Sequence, residues 1–121
     1  MQGFVLAAES CVVLHPFPGV TMKASHGDRM TLSLVLMEPG SVIEEHAHPH
    51  EQMGYMIEGE AEFVIGGQTF HVRAGHMWRI PGGVPHRVKA LSRMLALDAF
   101  CPPREDMSRP DSWGKIAKDV A

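Results

Sequence analysis

Cysteine is nearly absent from this chain: only Cys11 and Cys101 occur, far apart and without CxxC spacing. That excludes a disulfide-dense scaffold and a cysteine zinc site, and it suits a reducing compartment. Basic charge is also short. Eleven Lys and Arg stand against fourteen Asp and Glu, a formal net charge of -3, and they do not cluster, so nucleic acid is not an expected partner. Long apolar runs are missing too, since none approaches the roughly 18 residues a membrane span requires. The apolar run Phe4–Ala8 is short and has no basic stretch before it, unlike a signal peptide. No repeat or low-complexity linker breaks the 121 residues. One domain over residues 1–121 is therefore expected, soluble and cytoplasmic, with no membrane partner.

The apolar content is ordinary. At 45% hydrophobic residues, wholesale disorder is excluded. Strand signals dominate: β-branched and apolar residues fill Met30–Met37, Tyr55–Ile57, Ala61–Ile65 and Met94–Phe100, each stopped by Gly or Pro. Shorter strands are expected at His76–Ile80 and His86–Lys89. Gly66-Gly67 between Ile65 and Gln68 predicts a tight hairpin. Short strands at this spacing point to an all-β sandwich or barrel. Only Asp111–Lys118 has helical character, with Asp111 as its N-cap.

What is plentiful is histidine, eight residues in all, and histidine is the commonest metal ligand. In an extended strand, His46 and His48 would present two imidazoles to one face. His50 shares that parity; a place at the rim of a site or behind its ligands suits it better than a ligand's. His15, His26, His71 and His76 read as solvated strand residues. Tyr55 and Met53 are expected to line or underlie a pocket, and one of Trp78 and Arg79 to reach its mouth.

The order Gly40, His46-Ala47-His48, Gln52, Gly59, then Gly75, Pro81-Gly82-Gly83, His86 resembles the paired motifs of the cupin superfamily. The resemblance implies a small jelly-roll barrel, its core over about 19–106 with a tail from 107 to 121. It also implies one divalent transition metal, nickel, zinc, iron or manganese, held by His46, His48, Gln52 and His86. Glutamine stands where the family usually has glutamate. Three imidazoles and an amide are all neutral, so a bound ion keeps its double charge, which suits Lewis-acid chemistry.

The runs His48–Tyr55, Ile80–His86 and Leu97–Asp106 narrow the resemblance to KdgF-type cupins of pectin and alginate breakdown. Those convert 4,5-unsaturated uronates to linear keto forms. By this resemblance Asp98 is the proton carrier, Arg104 clamps the substrate carboxylate, and Phe100 packs against the sugar. A homodimer is implied on the same ground. An iron-dependent cupin dioxygenase of a small molecule, or a non-catalytic small-molecule-binding cupin, is the alternative.

Overall fold

The computed structural model describes residues 3–115. Ten strands follow one another: β1 (Val12–Leu14), β2 (Val20–His26), β3 (Thr31–Met37), β4 (Val42–His46), β5 (Glu51–Glu58), β6 (Glu60–Ile65), β7 (Gln68–Arg73), β8 (Met77–Ile80), β9 (His86–Ala90) and β10 (Met94–Cys101). Short 3₁₀ turns occupy Ala8–Ser10 and Glu105–Met107. The strands form a six-stranded sheet in the order β1-β2-β3-β10-β5-β8 and a four-stranded sheet in the order β4-β9-β6-β7. Every pairing is antiparallel.

Side chains alternate across each strand, so period-two patterning selects the face that is buried. On β3, Thr31, Ser33, Val35 and Met37 turn inward; on β10, Met94, Ala96, Asp98 and Phe100 do the same. The four-stranded sheet answers with Ile43, Ala61, Phe63, Val72, Val88 and Ala90. The expected all-β architecture is present, and the hairpin falls at Gly66-Gly67, with φ of 56° and 82°.

Two expectations change. Asp111–Lys115 forms turns and no helix. Gly114 has a positive φ of 77°, and Ser112 spends its hydroxyl on the carbonyls of Asp106 and Arg109, which breaks a helical path. Asp111 caps nothing and lies 3.8 Å from Arg109 on the surface. Ile116, Ala117 and Lys118 lie outside the described residues. Met53 and Tyr55 do not underlie a pocket either: both stand exposed on the outer face of β5, because inward parity on that strand belongs to Gln52 and Met56. No helix among the described residues is long and apolar enough to cross a membrane.

Candidate metal centre

His46 ends β4 and pairs with His86 at the start of β9. A register shift between Ile43 and His46 changes the parity of β4 and turns His46 inward as well as Ile43. His48 is not in a strand: β4 has ended, and Ala47–His50 is irregular. Strand parity therefore does not bring His46 and His48 to one face as expected, although the two rings do meet. A turn brings His48 in. Gly83 N–H donates to the His48 carbonyl at 2.8 Å, and a Cβ on Gly82 would overlap the Pro49 carbonyl. The Pro81–Gly83 turn can thus lie directly on the histidine turn and carry His86 to it.

The three rings converge. Centroids are 4.3 Å apart for His46 and His86, 5.0 Å for His48 and His86, and 5.7 Å for His46 and His48. One ligand atom from each lies within 4.8 Å of the others. Every Nδ1 faces a backbone carbonyl: His46 that of Glu44 at 2.9 Å, His48 that of His50 at 3.1 Å, His86 that of Val84 at 2.9 Å. A carbonyl only accepts, so each Nδ1 carries the proton and each Nε2 keeps its lone pair for an ion. Gln52 Oε1 stands 3.1 Å from His48 Nε2. With Nδ1 protonated, these are two lone pairs facing each other, an arrangement a cation between them would satisfy. Gln52 and Asp98 line the same cavity; a carboxylate neighbour favours the NH₂ end of the amide, which leaves the oxygen for the histidine side. His46, His48, Gln52 and His86 fit a divalent ion.

Electrostatics keep the trio neutral. Burial, then His86, lowers His46 to about 4. Burial, then the Arg104 charge, lowers His48 to about 3. His86 falls below its ordinary value by burial and Arg104, against its bond to Val84. Neutral imidazole is the form that binds metal.

Asp98 forms the next wall. Its Oδ1 accepts the Trp78 indole N–H at 2.9 Å, and burial pushes it up to about 6 against the bonds from Trp78 and Gln52. Of the two residues considered for the pocket mouth, Trp78 points inside and Arg79 outside. Phe100 lies 5.7 Å from the His48 ring and 4.8 Å from the Arg104 guanidinium carbon. Arg104 is 1% exposed. Its Nε and Nη2 donate to the two Asp106 oxygens at 2.6 and 2.5 Å, while Nη1 is buried without a partner. The fork expected to grip a ligand is thus already occupied, and only Nη1 is left. Burial would raise the Asp106 acid, but bonding to Arg104 outweighs it and holds the group below its usual range.

Of the two places expected for His50, it takes the one behind the ligands, its carbonyl facing His48 Nδ1 at 3.1 Å. It is wholly buried, with Nε2 3.2 Å from Glu105 Oε2 and its ring 5.4 Å from that of His48. His26 is not simply solvated: it links Thr31 Oγ1 at 2.7 Å to the Met107 carbonyl at 3.1 Å. His15, His71 and His76 are exposed, as expected. Sequence reasoning passed over Asp106 and Trp113. Trp113 lies 5.2 Å from the His46 ring and 4.9 Å from the Arg104 carbon. Trp113 is marked by no local pattern, because it acts through folded-back chain, whereas Asp106 acts on a neighbour two residues away whose burial the sequence does not display. His46, Gln52, His86, Asp98, Arg104 and Trp113 are among the residues lining a cavity of ≈ 30 Å³; a water needs about 10–15 Å³, so an ion and a water or two fit.

Comparison with known proteins agrees with this geometry. The family model described as "Cupin domain" matches residues 33–100, more than half the chain. Polyketide synthase CurC of Streptomyces cyaneus is 38% identical over 71 residues, 58% of this chain and 44% of that protein. The HTH-type transcriptional regulator PuuR of Escherichia coli (strain K12) is 34% identical over 73 residues, 56% of this chain and 40% of that protein. The chain thus spans less than half the length of these curated relatives. The structure of KdgF from Halomonas sp. superposes with a TM-score of 0.79 at 27% identity, covering 88% of this chain and 99% of that one. With its two-sheet architecture, its three-histidine cluster and the family match, the chain belongs to the cupin family.

Proposed function

We propose that this cupin is a metal-dependent isomerase that opens 4,5-unsaturated uronates to their linear keto forms. The observation that carries the reading is the buried Asp98 carboxylate, held by the Trp78 indole in the chamber that His46 and His86 also line, beside the three-histidine cluster. His46, His48, Gln52 and His86 hold the ion, which supplies Lewis-acid polarisation of a substrate oxygen. With neutral ligands and Arg104 nearby, the loaded chamber favours an anion, and a uronate carboxylate can take the free Arg104 Nη1. Phe100 packs on the sugar and excludes water.

Asp98 carries the proton. As a carboxylate it takes the proton of the anomeric hydroxyl; the bond from C1 to the ring oxygen breaks, leaving an aldehyde at C1 and an enolate oxygen at C5. The same proton returns to C4, and a ketone forms at C5. Nothing is oxidised, and the product is an isomer of the substrate. A group near pKa 6 suits both taking and giving a proton.

The test follows the ultraviolet absorbance of 4,5-unsaturated galacturonate with protein loaded separately with nickel, zinc, iron or manganese. Faster loss than the spontaneous decay, without oxygen uptake, is expected. Decay at the spontaneous rate with every metal overturns the isomerase reading, and oxygen uptake with iron would indicate a dioxygenase. The similarity to a transcriptional regulator favours a second reading, a ligand-binding cupin without turnover. The chain is also proposed to act as a homodimer, for which the outer face of the six-stranded sheet exposes Leu32, Met53, Tyr55 and Ile57. Sedimentation should give twice the chain mass, and a monomer at working concentration contradicts it.

A further inference from the structure

Trp113 lies beyond the residues matched by the family model, yet it walls the chamber. Its ring meets His46 edge-on at 5.2 Å and Phe17 at 6.1 Å. The Arg104 carbon lies over both the Trp113 and the Phe100 rings, at 4.9 and 4.8 Å. Trp113 therefore touches a candidate metal ligand and also the one guanidinium with a buried, unsatisfied N–H group.

The segment carrying it is fastened by few hydrogen bonds. Ser108–Lys115 joins neither sheet. Beyond its own turns and the packing of Trp113, its hydrogen bonds to the rest of the chain among the described residues are two, Ser112 Oγ donating to the Asp106 carbonyl at 2.9 Å and Gly114 N–H donating to Asp106 Oδ2 at 3.0 Å. The Asp106 side chain thus grips Arg104 and the segment together. Meanwhile the chamber, at ≈ 30 Å³, has no room for a sugar, since organic ligands occupy pockets of about 300–1,000 Å³. Both the small volume and the light fastening point to the same place.

We propose that Trp113 is the gate and the size-setting wall of this chamber, carried on a segment that swings off Asp106 to admit an organic carboxylate and then closes over it. The inference rests on the cavity being the ion and carboxylate site. Trp113 in the closed state presses on Arg104, so that Nη1 is presented to the ligand in a fixed direction. Ligands too large for closure are held without the indole against them.

The experiment measures uptake and release of zinc by the whole chain, release being followed by transfer to a coloured chelator. A gate changes both rates and leaves the equilibrium in place, so Trp113→Ala should speed uptake and release by about tenfold with the dissociation constant within about threefold. Trp113→Phe, which keeps a ring, should stay near the parent rates. Ser112→Ala loosens the segment without removing a wall and should accelerate both rates in the same direction, which keeps the test open if Trp113→Ala fails to fold. Unchanged rates in Trp113→Ala and Ser112→Ala overturn the gate. So does weaker affinity with unchanged uptake, which would make the indole only a support for His46. A chain that takes up no zinc overturns the gate and the ion site together. Gated zinc exchange in a protein that leaves uronates untouched overturns the isomerase alone.

Discussion

A Cβ at position 54 would overlap the Asp98 carboxylate and the Trp78 indole, so the bond between those two crosses β5 only because residue 54 has no side chain. Trp78, on β8, reaches past its neighbour strand to hold Asp98 on β10. Under the proposed function, single residues have separable tasks. His86→Ala should lose metal to background when measured by atomic absorption. Asp98→Ala should keep one ion per chain and lose turnover by about 10²–10⁴-fold, the usual worth of a general acid–base group. Equal metal loss in both variants contradicts the division. That Asp98 and Phe100 share one face was readable, since a strand's period is local; that this face is the inner one was not, because apolar residues stand on both faces of Met94–Phe100. Trp78 as the partner of Asp98 was not readable, because that bond joins strands that are not hydrogen-bonded to each other.

Among the elements, the connections rather than the strands build the site. The apolar runs and their Gly and Pro stops announced β3, β6, β7, β9 and β10 in the sequence, because half-buried strands must alternate. The register shift in β4 and the irregular run through His48 left no such trace: they depend on the Pro81–Gly83 turn packing from elsewhere in the chain. The C-terminal link shows the same limit. The resemblance gives Arg104 a substrate carboxylate to clamp, but it is fully enclosed and paired with Asp106. Removing one partner strands a buried charge, so Asp106→Ala should cost about 3–5 kcal/mol in urea denaturation. The double variant Arg104→Met, Asp106→Leu should recover most of that loss. If Asp106→Ala unfolds at the parent midpoint, the pair is not holding the segment.

For the molecule as a whole, acid acts mainly through the histidine trio. His46 and His48 titrate near 4 and 3 in the folded chain, against 6.5 as the ordinary value. Below pH 6.5 the unfolded chain takes protons that the folded one refuses, so stability falls as the pH drops. His86 and Asp106, both lowered, pull the same way, Asp106 only below about 3.8. Asp98, raised to about 6, opposes them: its contribution is full below 3.8 and fades as the pH rises through 6. Three imidazoles outweigh one carboxylate. Metal-free protein should therefore show a lower urea midpoint at pH 5 than at pH 7; an equal or higher midpoint at pH 5 contradicts this balance.

The three backbone carbonyls that face the Nδ1 atoms carry one more implication. They fix each ring's tautomer before any ion arrives, and the Nε2 atoms bear no proton at neutral pH. Cation capture by such a trio displaces no hydrogen ions into the buffer and requires little freezing of side-chain rotation. Its cost is chiefly that of stripping water from the incoming ion. The main chain, by holding the rings ready, would make loading of this centre nearly independent of pH above the range in which the imidazoles begin to charge.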